Sequence, residues 1–447
     1  MKKQLPKTNQ LRKVLGVAFG IAIVVGSTIG VGILRTPGTI AALIPNATLI
    51  MVCWIAIGLY ILLAASSYAE LTTMFPKAGG AYNYIKRAFG DYFGFVIGWF
   101  DFLCNAIAPA YFCIVLSEYS ILISPQWAEY KTLIAVLFLT FFTAINLPGI
   151  RSGSAIQKFT SAIKVVLFLV LIIGCFLYQP TISVPVEKNI ITGSLLLGLF
   201  KSLQLIMGTY DGWMSVSFFA EEDTDPNKNI PRSYLLGALT IGLVYVLING
   251  AILYVLPIET IAKSPLAASE AAAVAFGSWG GTLMTAVAIF SLISILNAYM
   301  MIPSRILFGL GRDGFFTSKS TVVNKGGTPY YSLLICYFFA LLLTIYSSFE
   351  QLFGLATIMM TLVTGFAFGS LIHLRKTAPD LPRPFKAFGY PFTTYMALIV
   401  TIILFVAFAV SDLFSLSIVL GLLLLSYPAY KMVLKNKKDK NNSIDKS

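Results

Sequence analysis

Charge is what this sequence has least of. Only 11% of its 447 residues are Asp, Glu, Lys or Arg, against roughly 25% in soluble domains. A chain of this length would make about three soluble domains, and so few charges could not coat them with a polar surface. Histidine is nearly absent too: the single copy, His373, sits beside Arg375 and Lys376 at the end of an apolar block. A histidine-based metal centre is therefore excluded, and no H-E-x-x-H or G-x-S-x-G segment supplies a catalytic set. Cys53, Cys104, Cys113, Cys175 and Cys336 all fall inside apolar blocks with no C-x-x-C pair. That leaves neither zinc spacing nor a disulfide framework, and suits thiols acting as small hydrophobes. With no Walker A loop, ATP-driven pumping drops out together with the soluble enzyme, the DNA-binding domain and the disordered scaffold. No cofactor and no metal are expected.

What is present is apolar length. Hydrophobic residues make up 57% of the chain and the mean hydropathy is +0.82. Blocks of about 20 such residues cross a bilayer as helices, and twelve are expected: 14–43, 47–74, 88–121, 129–148, 155–178, 194–220, 233–256, 278–309, 330–347, 351–373, 391–410 and 413–433. The basic start before the first block resembles a signal peptide, but the block is too long and lacks a cleavage site, so it reads as a retained helix. The net charge of +13 follows this alternation rather than one basic face. Of the 32 Lys and Arg, 26 fall to the tails and alternate loops on the N-terminal side; only Lys131, Lys188 and Lys263 fall to the opposite loops, and Arg35, Lys164 and Lys201 lie within spans. By the positive-inside rule both termini are cytoplasmic, and the charge is a topology signal, not a nucleic-acid surface. The expected organisation is a cytoplasmic tail 1–13, a five-helix set 14–178, a second set 194–373, two further helices in 391–433 and a cytoplasmic tail 434–447. No connection is long enough for a folded domain outside the bilayer, so function must lie among the helices.

Two of these helices are interrupted. Gly26-Ser27-Thr28-Ile29-Gly30-Val31-Gly32 places three glycines and two hydroxyls in the first span, with Pro37 beyond; Gly208-Thr209-Tyr210-Asp211-Gly212 places an ionisable side chain between two glycines in the sixth. Either cluster alone would equally suit close helix packing. Together they head two successive five-helix sets, and matching breaks in two halves of a transporter point to its substrate site. Five is odd, so the second set enters from the opposite side and the halves form an inverted repeat. Each break frees carbonyls on one half-helix and N–H groups on the other, with the macrodipole adding negative and positive charge respectively. Such ends fit an α-amino group and an α-carboxylate, with Gly30 and Gly32 letting the carboxylate approach the backbone.

Several segments resemble one family. Gly26 to Leu34 with Pro37 looks like the G-x-x-I-G-x-G-I-F motif of the amino acid–polyamine–organocation (APC) transporters. Tyr68-Ala-Glu-Leu-Thr-Thr-Met-Phe-Pro-Lys-Ala-Gly-Gly-Ala-Tyr82 is similar to their loop after helix 2. Glu221-Glu222 with Pro226, Lys228-Asn229 and Pro231 resembles the segment after helix 6, and Ser304-Arg305 with Gly311-Arg312-Asp313-Gly314 the end of helix 8. The nearest likeness is to the L-type amino acid transporter branch. It implies an all-α polytopic membrane protein with 12 transmembrane helices in a LeuT-type 5+5 inverted repeat, with broken helices 1 and 6 holding substrate during alternating access. It also implies that Lys164 matches the helix-5 lysine of sodium-independent members, whose ammonium stands where sodium-coupled relatives place an ion. A mid-membrane lysine is costly enough to be a functional candidate; the plainer alternative is a side chain snorkelling to the inner interface.

The departures from the family pattern matter. Val31 replaces a small polar residue. The helix-6 position that carries an aromatic gate in many L-type members matches Gly208, with Tyr210 a candidate replacement. Asp211 stands where glycine is common, and either attracts a cationic substrate, carries a coupling proton, or caps the second half-helix. Glu70 belongs to the loop motif, Asp101 and Glu118 are expected to pair with other helices, and Arg35 and Lys201 are candidates for outer-gate contacts. The expected substrate site is thus Ser27, Thr28, Ile29, Gly30, Val31, Gly32, Gly208, Thr209, Tyr210, Asp211 and Gly212, with Lys164 and Asp211 for coupling. The leading reading is sodium-independent transport of amino acids, by exchange or proton coupling. The alternatives are import of polyamines or cationic amino acids and, further off, a channel or an intramembrane enzyme. The expected partners are the substrate and the lipid bilayer of a bacterial inner membrane. Some relatives join an ancillary subunit through an outer-loop cysteine; none stands in an outer loop here, so no covalent ancillary subunit is expected.

Overall fold

A computed structural model describes residues 10–179 and 193–444. Lys2, Lys3, Lys7, Lys188 and Lys446, all counted in orienting the chain, lie outside the described residues. Sixteen α-helices follow one another, with no strands among the described residues: α1 (Val17–Thr28), α2 (Val31–Leu43), α3 (Ala47–Met74), α4 (Tyr82–Phe89), α5 (Asp91–Ile123), α6 (Lys131–Asn146), α7 (Ile150–Leu177), α8 (Gly193–Thr209), α9 (Pro226–Val255), α10 (Ile258–Lys263), α11 (Ala267–Phe276), α12 (Ser278–Arg312), α13 (Tyr330–Tyr346), α14 (Phe349–Thr377), α15 (Phe392–Ser411) and α16 (Leu413–Ile444). The local chemistry explains several ends. Asn46 accepts the Leu49 N–H at 2.8 Å to start α3. Ser348 and Gln351 form a capping box at α14, where each side chain takes one otherwise orphaned N–H. Arg375 and Lys376 sit in its last turn, where cations favour the carbonyl end.

Ten described helices are long and apolar enough to cross a membrane, which makes this a polytopic membrane protein. The expected spans 194–220 and 330–347 are not among the ten. The first is α8, which stops at Thr209, followed by a separate 3-10 helix at Ser215–Glu222. The second is α13, at 17 residues slightly short of the roughly 20 a span ordinarily needs. The other blocks differ in detail. The block 14–43, expected to be interrupted between Gly26 and Gly32, is two helices parted at Ile29-Gly30. The block 88–121 starts at Asp91, because Gly90 turns the chain with φ +89°, a conformation open to glycine, and leaves α4 as a separate piece. The expected tail 434–447 begins inside α16, which runs to Ile444.

The bundle has an inside and an outside. Helices α5 and α12 and the α1–α2 pair are largely enclosed, whereas α6 and α16 are mostly bare. Large apolar side chains cover that outer ring, as with Leu177 at 78% exposed and Leu424 at 79%. Lipid removes the penalty such a surface would carry in water. At one end of the bundle, rich in Lys and Arg, the chain before α1 is clasped by main chain to the chain after the 3-10 helix. Val14 and Leu15 donate N–H groups to Glu222 O at 3.0 Å each, and Thr224 donates to Leu15 O at 2.9 Å.

Candidate functional site

The two breaks lie against each other. Gly212 has φ +102°, and a Cβ there would come within 2.6 Å of Ser27 O. A Cβ at Gly32 would lie 2.6 Å from Thr209 Oγ1 and 2.9 Å from its Cα. Both contacts are possible only for glycine, so the glycines hold one break against the other. Ser27 Oγ donates to Gly212 O at 3.0 Å and lies 2.8 Å from Ser215 Oγ. From α9, the buried Tyr245 hydroxyl donates to Thr28 O at 2.7 Å and to Thr209 O at 2.9 Å. One phenol thereby ties together the last carbonyls of α1 and α8.

Lys164 answers the question of snorkelling. It is fully buried in α7, and its Nζ donates to Gly26 O at 2.8 Å and to Ile29 O. The Lys164 amino group is therefore held on the carbonyl end of α1, where the macrodipole is negative and favours a cation. Ser161 and Gln157, one and two turns earlier, reach Ala22 O at 2.8 and 3.4 Å, so α7 grips α1 along its length. On the opposite side of the break α2 begins at Val31, and its N-cap, Gly30, supplies no side-chain cap.

A small cavity of ≈ 10 Å³ lies between the breaks, about the room one water needs. Among the expected residues, Ser27, Thr28, Gly32, Gly208, Thr209 and Asp211 line it. Ile29 and Gly30 form the link between α1 and α2, a Cβ at Gly30 would meet Ile295 Cδ1 at 2.7 Å, and Gly212 packs on Ser27. Tyr210 is corrected: it turns away from the cavity, packing on Trp54 and Tyr245 with its hydroxyl donating to Trp54 O at 3.4 Å. Asp211 accepts the Gly212 N–H at 2.8 Å, and the 3-10 helix that follows, with Met214 as its N-cap, carries no side-chain cap. The far wall was not anticipated. It is built by Tyr111 and Phe112 of α5, Ile295 and Tyr299 of α12, and Phe349 and Phe353 of α14.

Ion pairs gather toward both ends of the bundle. At the basic end Arg305 grips Glu222 through Nε–Oε2 and Nη2–Oε1, both 3.2 Å and both side chains sealed. Arg312 meets Glu221 at 2.6 Å, and Glu221 also accepts the Ala78 N–H at 2.9 Å. Glu70 takes Arg375 at 2.7 Å and Arg383 at 3.3 Å. The motif segments after α3, after the 3-10 helix and at the end of α12 thus meet one another. At the opposite end Glu118 pairs with Arg35 and Lys131 at 2.9 Å each; Lys201 is exposed and Asp101 bonds only Asn105 of its own helix among described side chains.

A sequence model of the family described as amino acid permease matches residues 16–425. The chain is 26% identical to the serine/threonine exchanger SteT of Bacillus subtilis (strain 168), over 96% of this chain and 98% of that one. It is 28% identical to the human b(0,+)-type amino acid transporter 1, over 86% of this chain and 81% of the relative. It is 27% identical to the human large neutral amino acids transporter small subunit 2, over 84% and 72%. With the match covering nearly its whole length and the paired helix breaks at its centre, the chain belongs to the amino acid permease family.

Proposed function

We propose that this protein exchanges amino acids across a membrane by alternating access, without sodium. The observation that carries the reading is the abutment of two broken helices around one central cavity. The N–H groups at the start of α2, where Gly30 gives no side-chain cap, receive the substrate carboxylate, and the carbonyl end of α8 receives the amino group. The carbonyl end of α1 already holds the Lys164 ammonium, which takes the place of a coupling metal ion and supports sodium independence. The relatives' names, an exchanger and two amino acid transporters, support the same reading.

The fold we propose is twelve spans with a 5+5 inverted repeat. Helix pairing supports it: α3 packs on α9, α5 on α12, α6 on α13, α14 on α5 and α7 on α12. Exchanging each helix of one five-helix set for its counterpart in the other maps these contacts onto themselves. Both termini are cytoplasmic in this reading, as the lysine and arginine distribution requires, in the inner membrane of a bacterium. The five cysteines are all buried, which supports a chain with no covalent ancillary subunit.

Import of polyamines or cationic amino acids would use Asp211, which lines the cavity and takes the Gly212 N–H on one oxygen, but the relatives' names favour amino acid exchange. Counterflow in proteoliposomes tests the proposal. Internal unlabelled amino acid is expected to accelerate uptake of labelled amino acid equally in sodium and choline buffers. Uptake that requires sodium, or that internal substrate does not accelerate, would overturn it.

A further inference from the structure

The proposed relatives differ in the side-chain size their names imply, so what limits size here is a question for the cavity wall. Gly208 has no side chain, and the space its Cβ would enter is already filled: Phe353 Cζ and Cε1 would be 2.6 and 2.7 Å away, and Thr357 Oγ1 2.7 Å. The Phe353 ring is not free to leave. It stacks on Phe349, one helical turn earlier on the same face of α14, with centroids 5.2 Å apart and planes at 21°. Tyr111 of α5 meets both rings edge-on, at 5.7 and 5.9 Å. Phe349 is in turn held under the Arg35 guanidinium at 4.7 Å, and that guanidinium is paired to Glu118 at 2.9 Å. The capping box fixes the start of α14 immediately before Phe349. The wall is therefore a braced three-ring stack, with Phe353 as the member that reaches the helix-6 break.

We infer that Phe353, seated in the space left by Gly208, sets the upper size of the transported side chain, and that the substrates are α-amino acids no bulkier than threonine. This rests on the proposed site between the helix breaks. A close-packed wall pays for a larger substrate by displacing rings from their contacts. A smaller residue at 353 would open room beside Gly208 for a branched or aromatic side chain. The coupling also runs the other way: a methyl at 208 collides with the Phe353 ring, and removing the ring removes most of the collision.

The test is competition against labelled L-serine in counterflow, using glycine, alanine, threonine, leucine and phenylalanine, with wild type, Phe353→Ala, Phe353→Leu, Gly208→Ala, the double variant Gly208→Ala/Phe353→Ala, and Gly212→Ala. Leucine is expected to compete poorly in wild type and to gain on serine by about tenfold in Phe353→Ala. Phe353→Leu is expected to gain less and guards against a folding failure of the alanine variant. Gly208→Ala should lose uptake, and the double variant should recover part of it, which independent sites would not show. Leucine competing as well as serine in wild type overturns the inference, as does an unchanged competition order in monodisperse Phe353 variants. Loss of uptake in Gly212→Ala with that unchanged order would leave the site standing and remove only the size limit. Normal uptake by Gly212→Ala would overturn the site itself, and the inference with it.

Discussion

Arg305 and Glu222 face each other through two parallel hydrogen bonds of 3.2 Å, both side chains buried, joining α12 to the chain after the helix-6 break. The guanidinium also reaches Met301 O and lies over Phe219. A sealed charge depends wholly on its partner. Glu222→Gln should therefore destabilise the protein by about 3–5 kcal/mol, seen as a clear fall in the thermal midpoint in detergent. An unchanged midpoint would mean the pair contributes nothing to closing this end.

Lys164→Met keeps the length of the side chain and removes the ammonium from Gly26 O and Ile29 O. A charged donor to buried acceptors contributes roughly 1.5–3 kcal/mol, so exchange should fall by about tenfold or more while the protein stays monodisperse. Wild-type exchange by this variant would show that the α1 carbonyls need no cation.

Tyr245→Phe deletes one oxygen and nothing else. It unties Thr28 O from Thr209 O at a cost of about 0.5–1.5 kcal/mol. Slower counterflow with a slightly lower midpoint is the expected pair of results; counterflow at the wild-type rate would separate the tie from the transport cycle.

Arg35 is a third exposed, as is its partner Glu118, and such pairs contribute little to stability, about 0–1 kcal/mol. Its hold on Phe349 is the stronger claim. Arg35→Gln should leave the midpoint almost unmoved yet weaken the apparent affinity for external substrate by about fivefold, the scale of a lost cation–π contact. Identical saturation curves would remove Arg35 from the bracing of Phe349.

Much of this was legible in the chain. The breaks showed themselves because three glycines and two hydroxyls in one apolar block, and an aspartate in another, are costly in lipid unless they are needed. The segments carrying Glu221, Glu222, Arg305 and Arg312 were also evident. That they bind one another was not, since partners 83 and 91 residues apart leave no periodic trace. The aromatic wall was hidden for a different reason. In a span that is apolar all round, Phe353 looks like Phe338, although one lines the cavity and the other faces lipid at 59% exposure. Tyr210 was misplaced because α8 ends at Thr209, and helical phase cannot be carried past the end of a helix.

The clasp between residues 14–15 and 222–224 is made chiefly of main-chain groups. Side chains there can drift in evolution without loosening it, and of the common substitutions only proline deletes a donor. It also yokes the lead-in of one broken helix to the exit of the other, so neither can swing away from the bundle alone. In the alternating-access cycle proposed above, opening at this end would be a single event shared by both helices.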